Sequence, residues 1–313
     1  MPIASLGRLA FSKETAWGVL GTAVQWETLP VNPPTFTTTF ENILDQGMRG
    51  LGVKDFGAFQ GAGQSEASLE GIAYPEQLGY LLESIIGSAV STTPLTHVFD
   101  FDTNCACPTF TFEDYLAIAA AGAAGLGSAL RYSGMRCTNL TLKFNAGEGA
   151  VGWNASFVGK SGSMCPKTTV STTGTVNPPF LGWEGSVALG ATGVFSRLID
   201  CEISFAREGL IGHAAINSQQ PSFGYVGPLE TTMKATIDFQ NEADFALYRN
   251  NTQQEFKAFF TKGTKTLSIV APSASWLEAP IEIDRGGANL KAAWSMRALY
   301  YAGTANSPVR VIM

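Results

Sequence analysis

Charge is the scarcest ingredient of this 313-residue sequence: Asp, Glu, Lys and Arg make up 15% of it, where globular chains carry about 25%. A free-standing soluble domain keeps a charged surface. The shortfall, with a mean hydropathy of +0.09, implies that much of the exterior meets other protein. Basic charge is scarcer still, with 20 Lys and Arg against 26 Asp and Glu, a net charge of −6 and pI ≈ 5.1. Sequence-independent nucleic-acid binding needs clustered cations, and this balance speaks against it. Histidine is nearly absent, with only His97 and His213. Cysteines number five, an odd count spread over a long chain, which disfavours a disulfide framework and fits a reducing compartment. No apolar run reaches the ~18–20 residues of a membrane helix; the nearest, the Ala/Gly stretch 115–130, is short. Residues 1–18 lack the basic start, apolar core and cleavage site of a secretory leader, which also weighs against an exported outer-membrane barrel. Apolar residues are not scarce: they make up 45%, with 20 Phe, 8 Tyr and 6 Trp. That is too apolar for disorder, and the length is a soft prior for two domains.

Alternation is the dominant local pattern, the period of half-buried strands. Residues 139–145 set Leu140, Leu142 and Phe144 on one face against Thr141 and Lys143. Residues 198–205 set Ile199, Cys201, Ile203 and Phe205 against Asp200, Glu202 and Ser204. Residues 232–239 place Met233, Ala235, Ile237 and Phe239 inward, and 276–284 and 289–300 read as further strands. Helical spacing occurs at 75–86, opened by Pro75, and at 241–249, with Asn241 as N-cap and Arg249 in the last turn. The chain reads as mainly β with short helices.

Residues 161–179 hold 13 Ser, Thr, Gly or Pro among 19 and read as a linker between two similar halves. Each half runs strand, long connection, strand, helix, then further strands: 35–43, 64–72, 75–86, 135–145 and 151–159 in the first; 198–205, 230–239, 241–249, 265–271, 275–284 and 289–300 in the second. In both, a strand leads straight into the helix, and the returning strand of the last hairpin carries an inward tryptophan, Trp153 or Trp294. Shared element order points to tandem duplication.

The motifs that suggest chemistry are weak. GEGAVG (147–152) matches a dinucleotide fingerprint, but alternation follows it where a helix should start, so it reads as a hairpin turn. VGKS (158–161) has Asn154 where a phosphate loop needs glycine. Cys105 and Cys107 are too close together, and without a second pair, for a metal site. No nucleophile elbow and no pocketed carboxylate pair occurs. The sequence offers no enzyme, cofactor or metal site. The connection 44–63 is different: six glycines interleave with Met48, Leu51, Val53, Phe56 and Phe59. Apolar residues on so long a loop suit docking onto a neighbouring subunit.

Several segments together resemble the major tail tube protein of long-tailed, non-contractile phages. They are 15–31 (TAWGVLGTAVQWETLPV), 68–88 with its Tyr-Pro-Glu entry to a helix, 137–160, 235–249 and 298–313. The resemblance covers nearly the whole chain, although the Ala-rich insertion 115–130 has no place in it. It implies a β-sandwich or barrel-like tube fold with short flanking helices, and a structural virion protein whose rings stack into a hollow tube conducting the genome. On that frame the chain divides into an N-terminal arm (1–34), a first tube domain (35–160, with the long loop 44–63 and insertion 91–132), a linker (161–190) and a second tube domain (191–313). The implied partners are further copies of the chain, the tape measure protein, and the tail terminator and distal tail proteins. DNA would pass without specific binding, no membrane is involved, and assembly would occur in the host cytoplasm before residence in the virion tail. Two fused domains predict trimeric rings with pseudo-sixfold symmetry; hexameric rings are the alternative. A β-sandwich receptor- or carbohydrate-binding module is the competing function, and it predicts clustered aromatics on exposed loops.

Overall fold

The computed structural model describes residues 7–22, 24–47, 49–50, 53–87, 90–93, 96–101, 107–115, 129–147, 149–170, 177–190, 198–213, 218–238, 242–282, 291–302 and 307–313. Strands dominate, and every described strand pairing is antiparallel. The first half contains β1 (Arg8–Lys13), β2 (Glu27–Thr28), β3 (Thr35–Asp45), β4 (Gly57–Ile72), helix α1 (Pro75–Ile85), β5 (Val90–Thr93), β6 (Thr96–Asp100), β7 (Phe110–Tyr115), β8 (Ala129–Asn145), β9 (Gly152–Gly159) and β10 (Ser163–Cys165). The second contains β11 (Gly185–Leu189), β12 (Leu198–Gly212), β13 (Phe223–Asp238), helix α2 (Glu242–Arg249), β14 (Gln254–Lys262), β15 (Lys265–Glu278), β16 (Ile281–Glu282), β17 (Lys291–Ala298) and β18 (Arg310–Ile312).

A main sheet runs β3–β4–β9–β8–β12–β13–β17 and ends on the last residues of β15 and on β16. The first half therefore joins the second edge to edge, through Asn139–Asn145 of β8 against Asp200–Ala206 of β12. Two strands leave this sheet for side sheets, a way for layered β proteins to turn corners. The early part of β8 pairs with β7 and β10, and β7 with β1. The early part of β15 pairs with β14 and β18, and β14 with β11. One pairing scheme thus recurs with β1, β3, β4, α1, β7, β8, β9 and β10 answering to β11, β12, β13, α2, β14, β15, β17 and β18.

Alternation decides the faces. Inward positions of the main sheet, among them Leu69, Ala155, Leu140, Ile203, Met233 and Met296, are buried in a core that spans both halves. The two expected tryptophans are each 4% exposed and hold matching places, Trp153 opposite Gly71 and Trp294 opposite Ala235. α1 closes the core with Leu78, Leu82, Ile85 and Ile86, and Tyr248 of α2 meets Trp276 edge-on, centroids 6.4 Å apart.

Several sequence boundaries shift. The expected N-terminal arm contributes β1, and the expected linker carries β10, a 3-10 turn at Gly182–Glu184, and β11. These runs are too short for periodicity to mark them; their hydrogen-bonding edges come from β7, β8 and β14. The long loop 44–63 is strand up to Asp45 and again from Gly57, because its glycines and small residues fit a two-stranded ribbon. The strand read at 276–284 is interrupted after Glu278, where Ala279 and Pro280 stand. Asn241, Phe239, most of the 115–130 insertion, and Cys105 lie outside the described residues.

Candidate functional site

The most conspicuous unsatisfied surface is the ribbon of β3 and β4 beyond the sheet. β9 covers β4 from Ser65 to Ile72; residues 57–64 run on paired with β3, and the Gly63 amide donates to the Gln219 carbonyl at 2.9 Å. A bulge between Phe40 and Asn42 bends the ribbon. Ile43 pairs opposite Phe59 and Leu44 opposite Ala58, which puts apolar side chains on both faces. Ile43, Leu44 and Phe59 are exposed, Phe59 by 61%. A lone two-stranded ribbon is marginal in water, and one apolar on both faces needs a partner.

Of the five residues singled out from sequence, Phe59 lies on the ribbon's stem and Val53 is exposed near its tip. Phe56 is half-buried beneath the Arg49 guanidinium, 4.8 Å from the ring centroid, and Arg49 is ion-paired with Asp45. Met48 and Leu51 lie outside the described residues. Ile43 and Leu44 stand outside those five; adjacent aliphatics that break alternation at a strand end are the sequence signal for them.

The outward face of the main sheet is a different kind of surface. Serines, threonines and charged residues share it, and three of its cations are held by acids on the same face. Lys143 and Lys234 reach Glu202 at 3.0 and 3.9 Å, and Arg297 bonds Glu230 at 2.5 Å. A hollow of about 620 Å³ lies on this face, lined by Thr37, Glu66, Ser68, Thr138, Ser156 and Gly209 among others. It offers hydroxyls and one carboxylate, and no cluster of three potential metal ligands exists among the described residues.

The buried polar groups fasten elements together. Glu14 accepts from Thr109 and Thr111 hydroxyls at 2.6 Å each and from the Gly134 amide at 2.7 Å. Gly134 has φ +66, and a Cβ there would meet the Trp17 ring at 3.0 Å; Trp17 Nε1 donates to its carbonyl at 3.0 Å. Glu113 is fully buried between Arg131 at 2.9 Å and Arg8 at 3.3 Å, with the Thr168 amide donating at 2.9 Å. Burial alone would raise its pKa, but the Thr168 and Arg131 hydrogen bonds outweigh it and hold the carboxyl below its ordinary value. Burial pushes the Cys137 thiol up to about 12 and that of Cys201 upward as well; the described cysteines, 107, 137, 165 and 201, are buried.

A mainly β chain with an apolar projecting ribbon, a polar sheet face and, among the described residues, open strand edges has the make-up of a structural subunit. A family model described as phage tail tube protein matches residues 4–298. The chain belongs to that family, as a structural component of the virion tail. No curated protein matches it. No helix among the described residues is long and apolar enough to cross a membrane.

Proposed function

We propose that this chain forms the tube of a long, non-contractile phage tail, as trimeric rings of two tandem tube domains per chain that stack and conduct the genome. The observation that carries the reading is the recurring pairing scheme, with its β8–β12 join inside the chain. Each half brings the same four strands to the main sheet: β3, β4, β9 and β8, then β12, β13, β17 and β15. Joined in series they leave two unpaired edges among the described residues, that of β3 and that of the 275–282 segment. Open edges invite further pairing, and closure on another copy removes them. Three chains would supply six such units. The linker between β10 and β11, and fusion itself, raise the effective concentration of one unit for the other.

The segment joining β3 to β4, whose sequence holds Met48, Leu51, Val53 and Phe56, would reach the adjacent ring. The outward sheet face would line the lumen: its hydroxyls and acid-paired cations give sliding phosphate little to hold. Tape measure, terminator and distal tail proteins would meet the tube along its bore and at its ends, with assembly in the host cytoplasm. A binding module calls for aromatics clustered on loops, whereas Trp153 and Trp294 are buried strand residues, and of the exposed aromatics Phe59, Trp183 and Tyr225 stand on separate elements while Tyr300 adjoins Tyr301. Symmetry determination on images of purified tubes tests the reading. Three chains per ring, each giving two superposable units, is the expected result; six chains per ring refutes the tandem-domain ring and leaves family membership intact.

A further inference from the structure

The β12–β13 hairpin also projects beyond the sheet, and the structure shows where it goes. β8 pairs with β12 only as far as Ala206, and β17 with β13 only from Thr232, so the rest is a second ribbon. A bulge between Arg207 and Gly209 bends it, as one bends the first ribbon. It leans over the first half. Gly209 sits so close that a Cβ would meet the side chains of Thr138 at 2.5 Å and Val158 at 3.1 Å, and one on Gly224 would meet Trp17 at 3.1 Å. Buried Arg207 donates to the Ile86 carbonyl at 3.2 Å. At the turn, Gln219 Nε2 donates to the Gln60 carbonyl at 3.0 Å, and the Gln220 Oε1 accepts from the Ser161 amide at 2.9 Å.

The β3–β4 ribbon is its counterpart: its Gly63 and Gln60 bond Gln219 at the second ribbon's turn, but Ile43 and Phe59 toward its far end stay exposed. Phe59 and Phe223 stand the same number of residues ahead of Gly71 and Ala235, which face the matching tryptophans. Phe223 is half-buried, whereas Phe59 is 61% exposed. The seat has a counterpart too. Counted from Trp153 and Trp294, Gly159 and Lys160, which precede the Ser161 that bonds Gln220 at the second ribbon's turn, correspond to Tyr300 and Tyr301. These are 65% and 44% exposed, and Leu277 of β15 is 42% exposed. One half thus has a contacted seat and a ribbon whose far end is exposed; the other has a seated ribbon and exposed apolar residues at the matching positions.

We infer that the β3–β4 ribbon of one copy lies across the second half of a neighbouring copy in the same ring, placing Ile43 and Phe59 on Tyr300, Tyr301 and Leu277. The occupant is a second copy of this chain, because the β12–β13 ribbon already makes the equivalent contact, continuous with the β8–β12 join. The inference rests on the ring reading above and adds to it a lateral clasp, distinct from any contact of the ribbon tip with the next ring.

The test is disulfide trapping in assembled protein carrying Phe59→Cys together with Tyr300→Cys, both exposed sites. Mild oxidation should link chains into a covalent series that stops at the copy number of one ring, with neither single variant linking. A series that continues past that number would mean the ribbon seats on an adjacent ring, and tubes that form without linkage would mean it seats elsewhere; either overturns the clasp. Wild-type protein that forms no rings defeats the ring reading instead. As a second measurement, Tyr300→Ala with Tyr301→Ala should cut ring yield at least tenfold while circular dichroism stays unchanged; wild-type yield from that variant also overturns the clasp.

Discussion

Glu113 shows what a single residue does for this fold. Its carboxylate ties β7 to Arg8 of β1, Arg131 of β8 and Thr168 after β10, all elements of one side sheet. Removing one partner of a buried charge network costs roughly 3 kcal/mol, so Glu113→Gln should lower unfolding free energy by about that amount in urea at pH 7. The sign with pH follows from the direction of the shift. A carboxyl held below its unfolded value of 4.5 contributes stability above that value and loses it as pH falls through the lower, folded one. The gap between wild type and Glu113→Gln should therefore narrow below about pH 4.5. Asp114 works the other way, since burial raises its pKa, and it is common to both proteins and cancels. The thiols give a second expectation at this scale. Cys137 and Cys201 are buried with raised pKa values, and thiolate is the reactive form. Both should resist a maleimide at pH 7 in folded protein and react once it is unfolded; mass spectrometry of labelled peptides reads this out.

At the scale of elements, the two ribbons are the same device in different circumstances. The β12–β13 ribbon is seated on its own chain, whereas the far end of the β3–β4 ribbon leaves Ile43 and Phe59 exposed, so the β3–β4 ribbon is the one that should matter to assembly while sparing the fold. Deleting 47–61, or changing Phe56 and Phe59 to Asp, should leave a soluble, folded protein that forms no tubes. Burying each phenylalanine at a subunit contact contributes about 1.5–3 kcal/mol, and the substituted carboxylates would have to be buried unpaired. Electron microscopy beside thermal unfolding checks both halves of the expectation; normal tubes would remove the ribbon from the assembly scheme.

On the proposed function, the charge of the whole molecule would suit passage of DNA rather than its binding. With a net charge of −6 and the cations Lys143, Lys234 and Arg297 of the outward face already held by Glu202 and Glu230, assembled protein should show no measurable affinity for duplex DNA at physiological salt. A filter or polarisation assay across a salt series checks it. Binding with a steep log–log salt slope would mean that phosphate displaces the ion-paired acids, contrary to a passive wall.

The sequence by itself determined the mainly β class, the helix at 75–86, the inward Trp153 and Trp294, and the hairpin turn at 147–152, because strand alternation and helix spacing are local consequences of which face is wet. It also showed that the segment around Phe56 and Phe59 holds more apolar surface than a loop needs. Tertiary structure alone decided that this segment is a ribbon, that β8 and β15 each serve two sheets, and that short runs such as β1, β10 and β11 are strands. Their pairing partners lie far off in sequence, and a strand of three to six residues takes its identity from the edge that completes its hydrogen bonds. Charge pairing belongs to the same class: Glu202 and Lys143 lie on neighbouring strands only because β8 and β12 join two halves of the chain, and no local pattern of residues encodes that join.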